Sequence, residues 1–347
     1  MHIVFLVPDL HDRPTGGNVY NRRIIEELGT RGSVEVVRGA PSPDSVPSAA
    51  SGPGTVVIID SLLVQYGDAL RALREAHPEA SLVLLAHYLH CLDPREQSAA
   101  EAKAERALLP LFDGAVTTSR YARRALVEAG LTEASVEVVS PGLATDYRAP
   151  VGAPPDGGAP PELLTVANLL PGKGLRPFVD VLERLDNAAW RWTLVGDDTL
   201  APDCADALRR RLRASPVTDR VRLPGPIPPA DLRARYDRAD VFVLPSRFET
   251  CSMATREAMA RGLPVVAYAA GGLPDNLGDA DAGILAPPDR PDALADALRA
   301  LLTDPDRRRL LGTAARERSR SFPTWTEAGA RFDAVLDDIV ANARAST

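Results

Sequence analysis

The chain has 347 residues and a formal net charge of −7, and 45% of its residues are hydrophobic. This length allows two domains that each bury a full core, and the acidic balance argues against nucleic acid as a main partner. Three cysteines are scattered without the spacing of a metal site or a disulfide framework, which favours a reducing compartment. The sequence shows no recognisable signal peptide or membrane span. We therefore expect a soluble, cytoplasmic protein that does not associate with membranes.

The first half of the chain alternates apolar runs with amphipathic stretches. A predicted strand at 2–8 is followed by a predicted helix at 18–28, and Gly16 and Gly17 stand at the helix start. Glycines at this place let a backbone approach a phosphate, although a glycine pair is also common in ordinary turns. The spacing is not G-x-G-x-x-G, so a dinucleotide site has little support. Further strands are predicted at 55–59, 81–86 and 114–118, and helices at 62–76, 96–110 and 119–129.

Two segments rich in proline and glycine interrupt this alternation. Residues 40–54 contain four prolines and no apolar period, which is typical of a loop within a domain. Residues 149–161 cannot bury enough surface to fold alone and separate two α/β patterns, which predicts a linker. We therefore divide the chain into an N-terminal domain at 1–148, a C-terminal domain at 162–320 and a final helical segment at 321–347.

Three side chains that could bind a metal follow the predicted strand at 81–86. They are His87, His90 and Cys91. A structural zinc site usually has four ligands in a closed geometry, and the sequence shows no second cluster of ligands. A core or capping role is a further alternative for His87. A metal site is therefore one alternative for this segment.

The second domain opens with a predicted strand at 163–167, followed by Asn168 and by a Gly-Lys-Gly sequence centred on Lys173. Lys103 and Lys173 are the only lysines in the chain, against thirty-eight arginines. This scarcity makes a lysine in a loop a candidate functional residue. Further strands are predicted at 192–196 and 283–285, and helices from 177 and at 203–214, 291–302 and 325–341. Residues 221–225 and 232–239 lead up to the segment described next.

A strand, loop, helix and strand follow one another in the most informative part of this domain. The strand is predicted at 241–244, and the loop after it carries Glu249. Ser252 stands where the cap of a helix at 253–261 belongs, and a second strand is predicted at 263–267. The loop lies at the carboxyl end of its strand, which is where open α/β sheets bind ligands.

This segment combines an anion site with two carboxylates. The amides of Met253 and Ala254 lie in the first turn of the predicted helix, where the helix dipole favours an anion. Glu249 and Glu257 stand eight positions apart and can accept hydrogen bonds from hydroxyl groups. A phosphate beside hydroxyl groups is the chemistry of a nucleotide sugar. The alternative is that Glu257 pairs with Arg261 on the surface and that Glu249 is merely solvated.

The same stretch resembles the signature of glycosyltransferase family 4, whose members are retaining enzymes of the GT-B type. That signature is a strand ending in Pro-Ser, two glutamates spaced E-x7-E, the run EAMA-x-G-x-PVVA and a Gly-Gly pair. Here it reads LPSRFE, Glu249 with Glu257, EAMARGLPVVA and Gly271-Gly272. The resemblance implies an α/β fold of two Rossmann-like domains facing an interdomain cleft. It also implies that the C-terminal helix crosses back to the N-terminal domain.

The resemblance further implies roles for individual residues. Glu249 would contact the transferred sugar, Lys173 would neutralise the donor diphosphate, and His87 would contact the sugar, so these three are the predicted catalytic residues. Asn168 stands where relatives carry an arginine, which leaves Lys173 as the main fixed positive charge. Ser252 stands where relatives usually have glycine. The predicted donor-binding residues are Gly16, Gly17, Asn168, Ser252, Met253, Ala254 and Glu257.

The predicted activity is retaining transfer of a sugar from a UDP- or GDP-sugar donor to a small-molecule acceptor of bacterial secondary or envelope metabolism. Glu257 would bind the ribose hydroxyls of the donor. No cofactor and no divalent metal are expected, because Lys173 and helix-end amides can neutralise the leaving diphosphate. Two alternatives stand beside this prediction. One is a sugar-nucleotide epimerase of the same fold, and the other is a catalytically silent nucleotide-binding subunit, which the departure at Asn168 motivates.

Overall fold

The computed structural model describes residues 1–9, 12–47, 54–96, 99–149, 159–185, 188–278 and 281–345. The chain divides into two compact units, one comprising 1–142 with 323–347 and the other comprising 143–322. Residues 150–158 of the predicted linker and residues 48–53 of the predicted proline-rich loop lie outside the described residues. None of the described helices is long and apolar enough to cross a lipid bilayer.

Each unit is built on a six-stranded sheet in which every pair of neighbouring strands is parallel. Strands of parallel sheets are covered on both faces, so they read as nearly continuous apolar runs. The strand at Thr55–Asp60 is buried at every position. The strands are β1 His2–Val7, β2 Val34–Arg38, β3 Thr55–Asp60, β4 Ser81–Ala86, β5 Gly114–Thr117, β6 Val136–Val138, β7 Glu162–Val166, β8 Arg191–Val195, β9 Val221–Gly225, β10 Val241–Leu244, β11 Val265–Tyr268 and β12 Gly283–Ala286.

Helices connect most successive strands, because a parallel pair needs a crossover connection. Side-chain oxygens cap several of them: Thr15 accepts the amide of Asn18, and Ser119 accepts the amide of Ala122. The helices are α1 Gly16–Gly29, α2 Gly67–Ala76, α3 Ala100–Leu108, α4 Arg120–Glu128, α5 Thr145–Arg148, α6 Leu175–Glu183, α7 Pro202–Arg213, α8 Pro229–Arg238, α9 Met253–Ala260, α10 Leu273–Leu277, α11 Pro291–Thr303, α12 Pro305–Ser319 and α13 Trp325–Ala345.

In the first unit the strand order is β2-β1-β3-β4-β5-β6. Because β2 lies on one side of β1 and β3 on the other, the direction of winding reverses between β1 and β3. Open α/β sheets bind ligands at the carboxyl ends of the strands beside such a reversal. The C-terminal helix α13 belongs to this unit, where Phe332, Val335 and Leu336 share a buried core with Phe5 and Ile24.

In the second unit the strand order is β12-β11-β10-β7-β8-β9, so the reversal lies between β7 and β10. Buried polar side chains tie three strands together at this point. Trp192 donates from Nε1 to the hydroxyl of Thr165 (3.0 Å), and that hydroxyl donates to the carbonyl of Val243 (2.7 Å). Because both donors are paired, they stabilise the strand register without leaving an unsatisfied polar group in the core.

The structure confirms the predicted α/β class with two Rossmann-like sheets. The prediction of one helix over 62–76 is wrong in its first turn. The carboxylate of Asp60 accepts the amide of Leu62 and begins a 3-10 turn, and α2 starts only at Gly67. The helix predicted over 96–110 is also shorter, since α3 ends at Leu108 and a 3-10 turn containing Pro110 follows. β2 and α12 were not predicted, and several positions of β2 are exposed, which removes the apolar run that marks a buried strand.

Candidate active site

The loops that follow β7 and β10 contact each other at the reversal of the second sheet. The amide of Arg247 donates to the carbonyl of Gly172 (3.0 Å). Gly174 has a φ of +64°, and a Cβ added there would lie 2.1 Å from the carbonyl oxygen of Pro245. Only glycine therefore fits at this position, because it tolerates the left-handed conformation and the close approach of a second backbone. The Gly-Lys-Gly sequence thus allows the loop that carries Lys173 to pack closely against the loop that carries Glu249.

An ion pair joins the two predicted catalytic residues of this unit. Lys173 Nζ lies 2.6 Å from Oε1 of Glu249, although the residues are 76 positions apart in the chain. The side chain of Glu249 is 9% exposed and that of Lys173 is 26% exposed. A nearly buried carboxylate needs such a partner, since an unpaired charge in the interior is strongly unfavourable. The ammonium group, which is the more exposed partner, can turn to an arriving anion.

The glycine pair at 271–272 holds the backbone of Glu249. The amide of Gly272 donates to the carbonyl of Glu249 (2.7 Å). Gly271 has a φ of +57°, and a Cβ added there would lie 2.0 Å from that same carbonyl oxygen. A side chain at Gly271 would therefore displace the loop. This is a physical reason for the Gly-Gly pair that the sequence pattern contains.

The N-terminus of α9 is held in a strained conformation. Ser252 has a φ of +67°, which is unfavourable for a residue with a side chain by about 1–3 kcal/mol. Its hydroxyl caps the helix by accepting the amide of Thr255 (3.3 Å). Within the described part of the chain, the amides of Met253 and Ala254 in the first turn have no hydrogen-bond acceptor. The structure therefore leaves two helix-end donors for an anion.

Asn276 stabilises this strained turn. Its amide donates to the carbonyl of Ser252 (3.2 Å) and also to the carbonyl of Cys251. Its oxygen accepts a hydrogen bond from Nε of Arg256 (2.8 Å), whose guanidinium lies over the ring of Phe322. Neither Asn276 nor Arg256 was predicted as part of the site. The arginine at the fourth helical position of a buried segment is the sequence signal that could have indicated a buried polar network.

Glu257 lies among aromatic hydroxyl groups. The hydroxyl of Tyr236 donates to its Oε2 (2.9 Å), and the hydroxyl of Tyr147 also bonds to this carboxylate. Burial raises the pKa of Glu257 to about 7, while these two hydrogen bonds act in the opposite direction. Arg261, the partner in the alternative interpretation, instead forms an ion pair with Asp237 (2.6 Å). The two tyrosines were not predicted from the sequence.

Asn168, where the family resemblance predicts an arginine, connects two loops. Its side-chain oxygen accepts the amide of Asp197 (3.0 Å), and the amide of Leu169 donates to the carbonyl of Asp197 (2.9 Å). These bonds fix the loop after β7 against the loop after β8. The neutral amide therefore shapes the loop that leads to Lys173 and brings no positive charge to it.

In the first unit, His87 and Gly17 lie together beside the reversal of the sheet. A Cβ added at Gly17 would lie 3.1 Å from the ring of His87, whereas one added at Gly16 would have nothing within 4 Å. His87 Nε2 lies 2.7 Å from Oδ1 of Asn21. Burial lowers the pKa of His87, although the charge of Asp60 acts to raise it. Gly17 is thus the glycine that allows close packing, while Gly16 begins α1 in an open environment.

The side chains that could have formed a metal site have other partners. His90 Nδ1 lies 2.8 Å from Oε1 of Glu105, and Oε2 of Glu105 accepts the amide of Cys91 (2.8 Å). Burial and the charge of Glu105 raise the pKa of the Cys91 thiol to about 12, which disfavours the thiolate that binds metals. Among the residues that the structure describes, no three His, Cys, Asp or Glu side chains are grouped to hold a metal ion.

Comparison with known proteins identifies the family of this chain. The family described as "Glycosyl transferases group 1" matches residues 160–304. The D-inositol 3-phosphate glycosyltransferase of Corynebacterium aurimucosum is 30% identical over 291 residues, which cover 79% of this chain and 69% of that protein. The residues matched by the family include the loops that carry Lys173 and Glu249 and the helix that carries Glu257.

Two solved structures share the fold over nearly the whole chain. Sucrose-phosphate synthase of Thermosynechococcus elongatus superposes with a TM-score of 0.77 at 22% identity, covering 98% of this chain and 99% of that one. HepE of Anabaena, solved in complex with UDP-glucose, has a TM-score of 0.78 at 19% identity and covers 97% and 99%. The matched sequences define this protein as a glycosyltransferase. The chain belongs to the family of group 1 glycosyl transferases.

Proposed function

We propose that this protein is a retaining glycosyltransferase of family 4 that moves a sugar from a UDP-sugar to a hydroxyl group of a small polar acceptor. The observation that carries the proposal is the pairing of Lys173 with Glu249 at the reversal of the second sheet. A cation for phosphate and a carboxylate for sugar hydroxyls are joined there. Both side chains follow the carboxyl ends of the two strands that flank the reversal, the usual location of a ligand in such sheets.

Lys173 and the helix-end amides supply the charge stabilisation that the reaction needs. When the bond between the anomeric carbon and the donor phosphate breaks, negative charge develops on the departing diphosphate. Lys173 offers one fixed cation, and the amides of Met253 and Ala254 offer two oriented donors. Preorganised donors of this kind lower the energy of the transition state because they do not have to reorient during the reaction.

The two glutamates take different parts of the donor in this proposal. A carboxylate has about four lone-pair positions, and the two tyrosine hydroxyls at Glu257 occupy two of them. Two positions remain, which matches the two vicinal hydroxyls of a ribose. Glu249 is paired with Lys173 through one oxygen, so its other oxygen can accept a hydroxyl of the transferred sugar.

Retention follows from a reaction on one face of the sugar. The acceptor oxygen forms its bond to the anomeric carbon on the face from which the phosphate oxygen leaves. The proton of the acceptor hydroxyl passes to that leaving phosphate oxygen, and the products are a glycoside and a nucleoside diphosphate. No protein carboxylate forms a covalent intermediate in this scheme, which distinguishes it from that of retaining glycosidases. Lys173 would keep the diphosphate in place while both bonds change.

The proposed substrates take their support from the relatives. HepE, which shares the fold, was solved with UDP-glucose, and this favours a UDP-sugar over a GDP-sugar as donor. The Corynebacterium relative is named for an inositol phosphate, and this favours a small polyhydroxylated acceptor.

The donor is tested by a thermal-shift screen against UDP, GDP, ADP and TDP. We expect UDP to raise the melting temperature most, since a ligand at one hundred times its dissociation constant stabilises the folded state by about 2.7 kcal/mol. Equal shifts for all four nucleotides, or none, would contradict a UDP-sugar donor.

The leaving group should need no divalent metal. Because Lys173, Met253 and Ala254 neutralise the diphosphate in this proposal, we expect the turnover of a UDP-sugar to be the same with and without EDTA. Added Mg²⁺ should change the rate by less than about twofold. Loss of activity in EDTA with recovery in Mg²⁺ or Zn²⁺ would overturn this prediction and return attention to His87, His90 and Cys91.

A further inference from the structure

Two buried side chains form a hydrogen-bonded series that ends at His87, beside the reversal of the first sheet. Oδ2 of Asp60, at the end of β3, lies 2.5 Å from Nδ2 of Asn21, which lies on α1. Oδ1 of Asn21 then lies 2.7 Å from Nε2 of His87, which follows β4. Asn21 and Asp60 are both buried. Neither residue belongs to the sequence signature, yet both act on the orientation of His87.

The donors and acceptors that these side chains carry determine which atom donates in each hydrogen bond. Oδ1 of Asp60 accepts the amide of Leu62 (2.8 Å), so both oxygens of this carboxylate face donors. Because a carboxylate oxygen can only accept, the end of Asn21 that faces Asp60 must be its NH₂ group. This leaves the oxygen of Asn21 for His87. An amide oxygen can only accept, so Nε2 of His87 carries a proton. In the neutral imidazole, Nδ1 is then the unprotonated nitrogen.

Contacts from two elements, the end of β3 and α1, hold the loop after β4 and the imidazole ring in place. The hydroxyl of Ser61 accepts the backbone amides of His87 (3.1 Å) and Tyr88 (3.2 Å), which fixes the loop after β4 to the end of β3. The ring of Tyr20 meets the imidazole edge-on, with the ring centroids 5.2 Å apart. Gly17 approaches the same ring without a side chain. Within the described residues, Nδ1 of His87 has no hydrogen-bond partner.

We propose that Asn21 and Asp60 are positioning residues that hold His87 in the Nε2–H tautomer, so that Nδ1 presents a lone pair to a hydroxyl group of the substrate. The tautomer is a property of the protein alone. Its consequence for turnover rests on the proposed function and on the contact with the transferred sugar that the family resemblance implies for His87. The carboxylate acts through the asparagine, in the way that the aspartate of a Ser-His-Asp triad fixes its histidine.

The substitution Asp60→Asn tests this proposal because it should exchange the donor and acceptor roles in the hydrogen bonds from residue 60 through Asn21 to His87. The new side chain has one oxygen, which must stay with the Leu62 amide because a backbone amide cannot become an acceptor. Its NH₂ group then faces Asn21, which turns over to present its oxygen and so directs its own NH₂ at Nε2 of His87. That nitrogen must now accept, and the proton moves to Nδ1. A purely structural role for Asp60 predicts no such exchange.

The tautomer is measured by ¹⁵N NMR of the ligand-free protein labelled in its five histidines, with His87→Gln assigning the resonances. We expect a protonated Nε2 and an unprotonated Nδ1 in the parent, and the reverse in Asp60→Asn. Asp113→Asn is the matched control: Asp113 also accepts a backbone amide and a side chain, from Leu82 and Arg74, but lies before β5. A protonated Nδ1 in the parent overturns the proposal, and this result needs no variant to fold.

Kinetics then connect the tautomer with the reaction. We expect Asp60→Asn to lower kcat/KM for transfer about tenfold or more with unchanged affinity for UDP, since one hydrogen bond to the substrate is lost. Asp113→Asn should leave both values unchanged. An inverted tautomer with parental kcat/KM would overturn the link to the substrate. If UDP does not bind the parent protein at all, the proposed function fails, while the tautomer measurement still decides the positioning of His87.

Discussion

Replacing Lys173 by alanine is expected to lower turnover by more than a hundredfold. Asn168 stands where the family resemblance predicts an arginine, and its side-chain oxygen accepts the amide of Asp197. In the proposed function, Lys173 is therefore the main cation for the departing diphosphate. The loss of one preorganised oxyanion donor typically reduces turnover by about a hundredfold to a thousandfold. Steady-state kinetics of Lys173→Ala with a saturating UDP-sugar measure this directly.

Two controls separate charge stabilisation from folding. Lys103, the other lysine, is exposed on α3, so Lys103→Ala should keep parental turnover. Lys173→Ala also leaves the nearly buried Glu249 without its partner, which should lower stability by about 1–3 kcal/mol. The double variant Lys173→Ala with Glu249→Gln should recover stability in urea unfolding but not turnover. A loss of turnover below about fivefold in Lys173→Ala would show that another group neutralises the diphosphate.

The parts of the fold that could be predicted are those whose signal is local. β10 was predicted at 241–244 because four buried apolar residues end at a proline, and α9 because Ser252 caps an alanine-rich run. β2 escaped prediction because it is partly exposed, and α12 because its many arginines mask the apolar positions that pack it. A regular spacing of apolar residues thus indicates an element with one buried face. An element that is half exposed lacks this spacing and is missed.

The site shows a similar division. Glu249 and Glu257 could be selected because they stand in a dense motif, and Lys173 because lysine is rare in this chain. Nothing in the sequence indicated that Lys173 and Glu249 form an ion pair. The same holds for the hydrogen bonds that link Asp60, Asn21 and His87. It also holds for the hydrogen bonds from the two tyrosines to Glu257. These contacts join residues 21 to 110 positions apart. They depend on the order of strands in the sheet, which brings distant loops to one edge and leaves no periodic trace in the sequence.

The second large effect is expected for the two glutamates, which should affect binding and turnover differently. Glu257 is proposed to hold the ribose, a contact that stays nearly the same in the ground state and the transition state. Glu257→Gln should therefore weaken the binding of bare UDP and raise KM for the donor. Glu249 is proposed to hold the sugar, where charge and bond order change. Glu249→Gln should chiefly lower turnover and leave UDP affinity nearly intact.

The pH dependence makes the test of Glu257 sharper. Its pKa is raised to about 7 by burial, so the side chain is largely ionised at pH 8 and largely protonated at pH 6. A neutral carboxyl resembles glutamine, whereas a carboxylate accepts hydroxyl groups more strongly. Calorimetry with UDP should therefore show a larger difference between the parent and Glu257→Gln at pH 8 than at pH 6. The same titrations of Glu249→Gln should show no such trend. If Glu257→Gln binds UDP like the parent at pH 8, the ribose assignment is wrong, and the carboxylate serves only to hold Tyr147 and Tyr236.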